Sequence, residues 1–448
     1  MKILILVFLI SSSSLIYAQK DTAKLFRPKQ IIEDIDSLIS GLQQIHPTFK
    51  KYYSENNLKN KIDSFKSTIN QPIPSIDLFR FMQPIISIDG HTSLIFNDVI
   101  NRKYEKRLIP FKLLIYEDRL YVKENLSSNK DIPQGAIIES INGVTAKELI
   151  NNMIRYMPGE KMNFKIRRLG DQFHTFYWLV YGPYTEFKIK IKNSTIEYIV
   201  EATDNKQFNE SPTPKFELIF YDDDIAYIYY RKFSPPKDFI HFIDSSFTII
   251  KNKNIKFLII DNTKNGGGLT DLGDTLTSYF TSKPYLSFEK KMTKVSTFTK
   301  NYIESKKSIG HFDGDYFVYE PSVVKPIERN NKFNGTTYIL SSRSSYSAAT
   351  AFPASAKCYK TAFIVGEETG QPLLSNGDIN QFKLPNTQMN CISSAAIIFM
   401  ACNNNDRVSG VMPDYLVIPT LDDLLNDKNY FLDYTLKLIR DNRNKKTK

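Results

Sequence analysis

The residues of this chain that could do chemistry fall in three short stretches. The first runs Thr337–Leu340, through Ser341, Ser342, Arg343, Ser344, Ser345 and Tyr346, to Ser347 and Ala348–Ala351. A strand-like run leads through a serine-rich loop into good helix formers, so Ser347 is expected at a helix N-terminus. Unpaired amides there favour negative charge on a group under attack. Serine is also a common cap, so its position alone does not make Ser347 a nucleophile.

The second stretch is Phe257–Asp261 followed by Asn265, Gly266, Gly267 and Gly268. A buried strand runs into three glycines, whose backbone can take φ > 0 and approach another group closely. Amides exposed in such a loop suit an oxyanion. No Gly-Lys-Ser/Thr follows, which excludes a phosphate-cradling nucleotide site. The third stretch is Ser87–Ile88–Asp89–Gly90–His91–Thr92. Of the five histidines, His46 precedes a proline, His241 lies in a helix-like run, and His174 and His311 sit among aromatics. His91 alone occupies a tight polar turn, where a neutral imidazole could act as a base.

These stretches need elements to hold them. Ile31, Ile35, Leu38, Leu42 and Ile45 mark one helix face, and Leu58, Ile62, Phe65 and Ile69 a second. A third helix is expected from Ser75, after Pro72–Pro74. From about 106 the period changes: Leu114–Tyr116 and Leu120–Val122 read as strands about the turn Glu117–Asp118. Gly135-x-Ile137-Ile138-x-x-Ile141-Asn142-Gly143 then leads into Thr145–Glu148, a capping box, and strands are expected from 162 to 200. This order resembles a PDZ domain, which implies a peptide-binding loop at Gly135, Ala136 and Ile137. Beyond the polar segment Asn209–Pro214, strands and helices alternate, which argues for an α/β layer with parallel strands. The expected units are a signal peptide (1–18), a helical N-terminal domain (19–105), a PDZ-like domain (106–208), a catalytic domain (209–435) and a basic tail (436–448). The stretch 283–335 reads as a lid or an insertion.

The order Asp261…Gly268, Ser347–Ala348–Ala349, then Gly366–Glu367–Glu368–Thr369–Gly370 resembles the tail-specific (C-terminal-processing) serine proteases and the related tricorn-core and retinoid-binding-protein-like group. Asp89–Gly90–His91 and Val411–Met412–Pro413–Asp414 extend the resemblance over most of the chain. It implies an α/β multidomain protein with a crotonase-like (ClpP-like) β-β-α spiral core, and an endopeptidase acting on polypeptides by acyl transfer without metal or cofactor. One branch of that family places a lysine base just after the Gly-Glu-x-Thr segment. Here Gln371–Pro372 stand there, and neither accepts a proton. Lys357 lies ten residues along the helix from Ser347, roughly 15 Å of rise away, and nothing singles out Lys383. The tricorn-like branch uses a histidine placed like His91. By the same resemblance Asp406 is the acid that orients it, with Glu367 as a rival, and the amides of Gly267 or Gly268 and of Ala348 are expected to form the oxyanion hole. The missing lysine also leaves open an inactive relative that binds peptides or hydrophobic ligands. A small-ester hydrolase lacks its G-x-S-x-G elbow.

Composition bounds the setting. Lys2, the apolar run Ile3–Ile10 and Tyr17–Ala18 read as a secretory signal cleaved before Gln19, which places the protein in the periplasm or outside the cell. No later run reaches about 18 apolar residues, so no stable membrane span is expected. The net charge of +11 reads as a solvated basic surface, with no nucleic-acid partner for an exported chain. Cys358, Cys391 and Cys402 lack metal-ligand spacing, permit at most one disulfide, and are expected as buried free thiols.

Overall fold

The computed structural model describes residues 24–96, 107–208 and 215–446. The expected signal peptide lies outside the described residues. The first domain is built on α1 (Pro28–Ile45), α2 (Glu55–Thr68) and α3 (Ser75–Ile86). The periodic residues Ile31, Ile35, Leu38, Leu42 and Ile45 are all buried. His46 then turns extended (φ −73°, ψ 123°), because a residue before proline avoids the α region. After α3 the chain passes through Asp89–His91 into β1 (Ser93–Ile95).

The middle domain follows with β2 (Phe111–Tyr116), β3 (Arg119–Asn125) and β4 (Ile137–Ile141). Glu117 and Asp118 both take positive φ (46° and 58°), the twist a two-residue hairpin needs. Thr145 caps α4 (Ala146–Met153) in a reciprocal box with Glu148. The next stretch corrects the sequence reading. Residues 162–181 form two helices, α5 (Met162–Asp171) and α6 (Phe173–Tyr181), before β5 (Glu186–Ile191) and β6 (Glu197–Glu201). Strands were expected here, but Phe173 and Tyr177 lie one turn apart and both are buried, so helix packing overrides the strand preference of the aromatics. The sheet order is β2-β3-β4-β5-β6.

The expected peptide-binding loop is also corrected. Gly135 N–H donates to the Val122 carbonyl (2.8 Å) and Ala136 N–H to the Pro133 carbonyl (3.2 Å). Ile137 pairs with Tyr121 inside the sheet. The amides of Gly135 and Ala136 thus already have partners, and β4 has strands on both sides, so this loop offers no open nest and no free edge.

The third domain contains β7 (Phe216–Tyr221), β8 (Ile225–Tyr230), α7 (Pro236–Asn252), β9 (Phe257–Asp261) and α8 (Thr270–Thr277). Then come β10 (Phe288–Lys294), β11 (Gly310–Asp313), β12 (Tyr316–Tyr319), β13 (Thr336–Ser341) and α9 (Ala348–Cys358). It ends with β14 (Phe363–Gly366), β15 (Leu374–Lys383), β16 (Asn390–Met400), β17 (Tyr415–Leu416), α10 (Leu421–Leu425) and α11 (Tyr430–Lys446). One sheet runs β7-β8-β9-β13-β14-β17 and is parallel from β8 onward. The alternation in β8 sets its layers. Ala226, Ile228 and Tyr230 pack with α7, α8 and α9 on one face. Ile225, Tyr227 and Tyr229 pack with Phe431, Leu432, Leu436 and Ile439 of α11 on the other. The expected basic tail from 436 is therefore part of a core helix; its lysines and arginines masked the two buried apolar positions.

A second sheet runs β11-β12-β10-β16-β15, and β1 of the first domain adds to β16. The stretch 283–335, read as a lid or insertion, supplies β10, β11 and β12 to it. Cys358 and Cys402 form a disulfide (Cα–Cα 5.8 Å), while Cys391 is free and buried. Three free thiols were expected, because nothing in the spacing showed that the end of α9 meets the turn after β16. Closing a loop of 44 residues stabilises by about 4 kcal/mol in the chain-entropy account.

Candidate active site

Ser347 stands at the N-cap position of α9, but its hydroxyl makes no capping bond. Its backbone is strained (φ 58°, ψ −128°), in a region that costs a non-glycine residue of order 1–3 kcal/mol. A serine there only to cap the helix would show the opposite on both counts. The serines before it stitch loops together: Ser345 Oγ donates to the Asn262 carbonyl (2.8 Å) and Ser342 Oγ to the Thr263 carbonyl (2.6 Å). They tie the nucleophile loop to the end of β9.

The glycine loop lies directly against this serine. A Cβ on Gly267 would stand 2.7 Å from Ser347 Cβ and 3.3 Å from Ala348 N, and Gly267 has φ 109°. Only glycine permits that approach. Sequence reasoning gave Asn265 no role of its own, yet its Oδ1 accepts the Gly267 N–H (2.8 Å). Its Nδ2 in turn donates to Asn262 Oδ1 (3.0 Å). The Gly267 amide is therefore engaged and does not face a substrate, which corrects its expected place in an oxyanion hole. The amides of Gly268 and Ala348 donate to no group among the described residues.

His91 is 9% exposed. Its N–H donates to Asp89 Oδ1 (3.0 Å). The other carboxylate oxygen of Asp89 meets His46 Nε2 (2.8 Å) and accepts from Ser394 Oγ (2.8 Å). Burial opposes the charge on Asp89, but the His46 bond and charge, the His91 ring and Ser394 together hold its pKa below the ordinary range. Burial lowers the His91 pKa from about 6.5, against the opposing charges of Asp89 and Asp378 and the Asn376 carbonyl. Its Nδ1 is buried without a hydrogen-bond partner among the described residues.

A short chain of contacts joins serine and imidazole. Ser347 N–H donates to Gln371 Oε1 (2.7 Å), and Gln371 Nε2 donates to the Asn376 carbonyl (3.2 Å), the same carbonyl that acts on His91. The His91 ring centroid lies 5.1 Å from that of Tyr346, the neighbour of Ser347. Gln371 fills the place of the missing lysine as a buried positioning amide.

Neither expected acid orients the imidazole. Asp406 Oδ1 accepts the N–H groups of Val408 (2.7 Å) and Ser409 (2.8 Å), and its carboxylate makes no hydrogen bond to His91 among the described residues; the largest charge effects on His91 come from Asp89, Asp378 and Arg168. Glu367 pairs with Arg343. A resemblance of motif order could not reveal that turn amides and an arginine hold these carboxylates. Lys357 pairs with Asp414 (2.9 Å), and Lys383 is exposed at the end of β15. Gly267→Ala should lower kcat about 10²- to 10³-fold, the scale of losing an oxyanion donor, by pushing the glycine loop away from Ser347. Turnover comparable to wild type in a folded Gly267→Ala protein would show that the close approach is dispensable.

Three comparisons bear on this arrangement. Residues 224–417 match the family model described as peptidase family S41. No curated protein matches the chain. Among solved structures, mature CPAF complexed with lactacystin superposes with a TM-score of 0.62 at 16% identity, over 92% of this chain and 97% of that one. Mature CPAF alone gives 0.62 at 15% identity, over 92% and 96%. The photosystem II D1 C-terminal processing protease gives 0.47 at 10% identity, over 89% and 96%. At these identities the CPAF likeness is one of fold. The family match spans β9, the glycine loop, Ser347 and β14, the elements on which the geometry above is built. Residues 224–417 are thus a domain of peptidase family S41, the family of the tail-specific proteases, and the chain is a serine-type peptidase.

Proposed function

We propose that the protein is an exported endopeptidase that cleaves polypeptides with Ser347 as nucleophile and His91 as base. The observation that carries this reading is Ser347 itself, strained, uncapped and pressed against a glycine loop, with the imidazole linked to it through Gln371 and Asn376. Ser347 Oγ attacks the scissile carbonyl carbon while its proton passes to His91. The C–O bond forms, the carbonyl π electrons move to oxygen, and the amides of Gly268 and Ala348 face that charge. The tetrahedral adduct collapses, the C–N bond breaks, and the leaving amine takes the proton from His91. Water then attacks the ester, His91 again moves the proton, and acid and free Ser347 are released.

The histidine base puts the protein with the tricorn-like branch in this reading, and the β-β-α succession of the third domain supports a crotonase-like core. The hairpin, Asn-Gly turn and capped α4 support a PDZ-like middle domain, one that does not use Gly135–Ile137 as a carboxylate nest. The Cys358–Cys402 disulfide supports export, since such bonds persist in oxidising compartments. Mature protein from its source should then begin at or near Gln19; an intact Met1 chain in the membrane fraction would overturn this part.

Substitution and pH test the mechanism together. Ser347→Ala and His91→Ala should each lower kcat by several orders of magnitude, and the double variant should lose little more, because such residues act as a unit. Only the neutral imidazole can take the Ser347 proton. Since burial lowers the His91 pKa, activity should rise with pH through a midpoint below about 6.5. Full activity in His91→Ala, or a rise only in the lysine range, would contradict the assignment. Wild-type protein without Ser347-dependent turnover would favour a peptide-binding relative.

A further inference from the structure

The loop between α4 and α5 carries Glu160 out of the middle domain to Tyr346 of the third domain. Tyr346 Oη donates to Glu160 Oε2 (2.5 Å). The backbone amide of Gly90 also acts on this carboxyl. Tyr346 immediately precedes Ser347, and Gly90 immediately precedes His91. Glu160 therefore bonds the residue before the nucleophile, and the hydroxyl it holds lies against the residue before the base.

The surroundings leave little room for another arrangement. A Cβ on Gly90 would stand 2.1 Å from Tyr346 Oη, so the two loops meet only because residue 90 is glycine. The buried Tyr346 ring stacks on Phe164 of α5 (4.4 Å, 15°). Next to Glu160, Lys161 Nζ reaches Glu368 Oε1 (2.6 Å) and the Val408 carbonyl (3.0 Å), pinning this loop to the third domain. Glu160 Oε1 is buried and has no partner among the described residues. We infer that Glu160 is a positioning residue by which the middle domain holds the Ser347 and His91 loops in register. This rests on the assignment of Ser347 and His91 above.

The charge state agrees with that role. Burial, and then the neighbouring Asp89 charge, push the Glu160 pKa up to about 8. Around neutral pH it is a neutral acid that adds no charge beside Asp89. The other titratable and charged groups acting on this cluster include Tyr346, His91, His46, Tyr52, Asp378, Arg168 and Arg407.

The test compares Glu160→Ala and Glu160→Gln in the full chain. Glu160→Ala should lower kcat about 10²-fold with KM little changed, the scale of a small misplacement of reacting groups. Glu160→Gln keeps an acceptor for the Tyr346 hydroxyl and should recover most of that loss. Wild-type kcat should fall as pH rises through about 8, when a second negative charge appears beside Asp89, and Glu160→Gln should lack this limb. Imidazole NMR reads the geometry without turnover: the His91 resonance, identified by its loss in His91→Ala, should shift in Glu160→Ala and return toward wild type in Glu160→Gln. Folded Glu160→Ala with kcat within about threefold of wild type, or with an unmoved His91 resonance, overturns the inference. Wild type lacking Ser347-dependent turnover counts against the nucleophile assignment instead, and the NMR arm then decides the role of Glu160.

Discussion

The arrangement around the site depends on one buried carboxylate. Asp89 is fully buried and is shared by His46 at the end of α1, the backbone of His91, and Ser394 on β16. These groups come from segments more than 300 residues apart. An unpaired charge at that depth is not tolerated, so the three segments must meet wherever Asp89 is satisfied. Removing one partner of such a buried pair costs about 3–5 kcal/mol, a large share of a domain's stability. The imidazole is thus placed by a requirement of folding. The same contact brings β1 onto β16 and joins the helical domain to the second sheet.

The nucleophile is held by a different means. The parallel strands β9 and β13 end side by side, Asp261 opposite Leu340, and their loops leave the sheet at the same edge. Asn262 crosses between them, its Nδ2 donating to the Ala349 carbonyl (2.7 Å), while Asn265 braces Asn262 and Gly267 within the glycine loop. A side-chain amide ties the two loops together where the ladder has ended, and Ser347 lies between them at positive φ. On the far face α11 closes the layer, and the Cys358–Cys402 bond fixes the other end of α9. Strain at Ser347 is held by its surroundings: Gln371 binds its amide and Gly267 packs against its Cβ.

Much of this was legible in the sequence, and the misses have physical causes. The helix faces of α1 and α2, the start of α3 at Ser75, the strand entering the glycine loop and the position of Ser347 followed from periodicity, breaker residues and loop composition. Residues 162–181 did not, because aromatics serve buried helices and strands alike. The last helix was read as a tail because its charged residues outweigh Leu436 and Ile439. Asp406 and Glu367 were assigned from motif order, which says nothing of which amides and arginines stand beside a carboxylate. Gln371 was noticed only as an absent lysine, although an amide with a donor and an acceptor can link two loops. Asn265 and Glu160 carry no local signal; their roles exist only once distant segments pack together.

The central claim, that His91 activates Ser347, is tested most directly by covalent capture. An organophosphorus probe for reactive serines should label Ser347 alone, identified by peptide mass spectrometry. Its rate should fall by orders of magnitude in His91→Ala and should fall as pH drops below the lowered imidazole pKa. Labelling of Ser347 at the wild-type rate in His91→Ala would contradict the account.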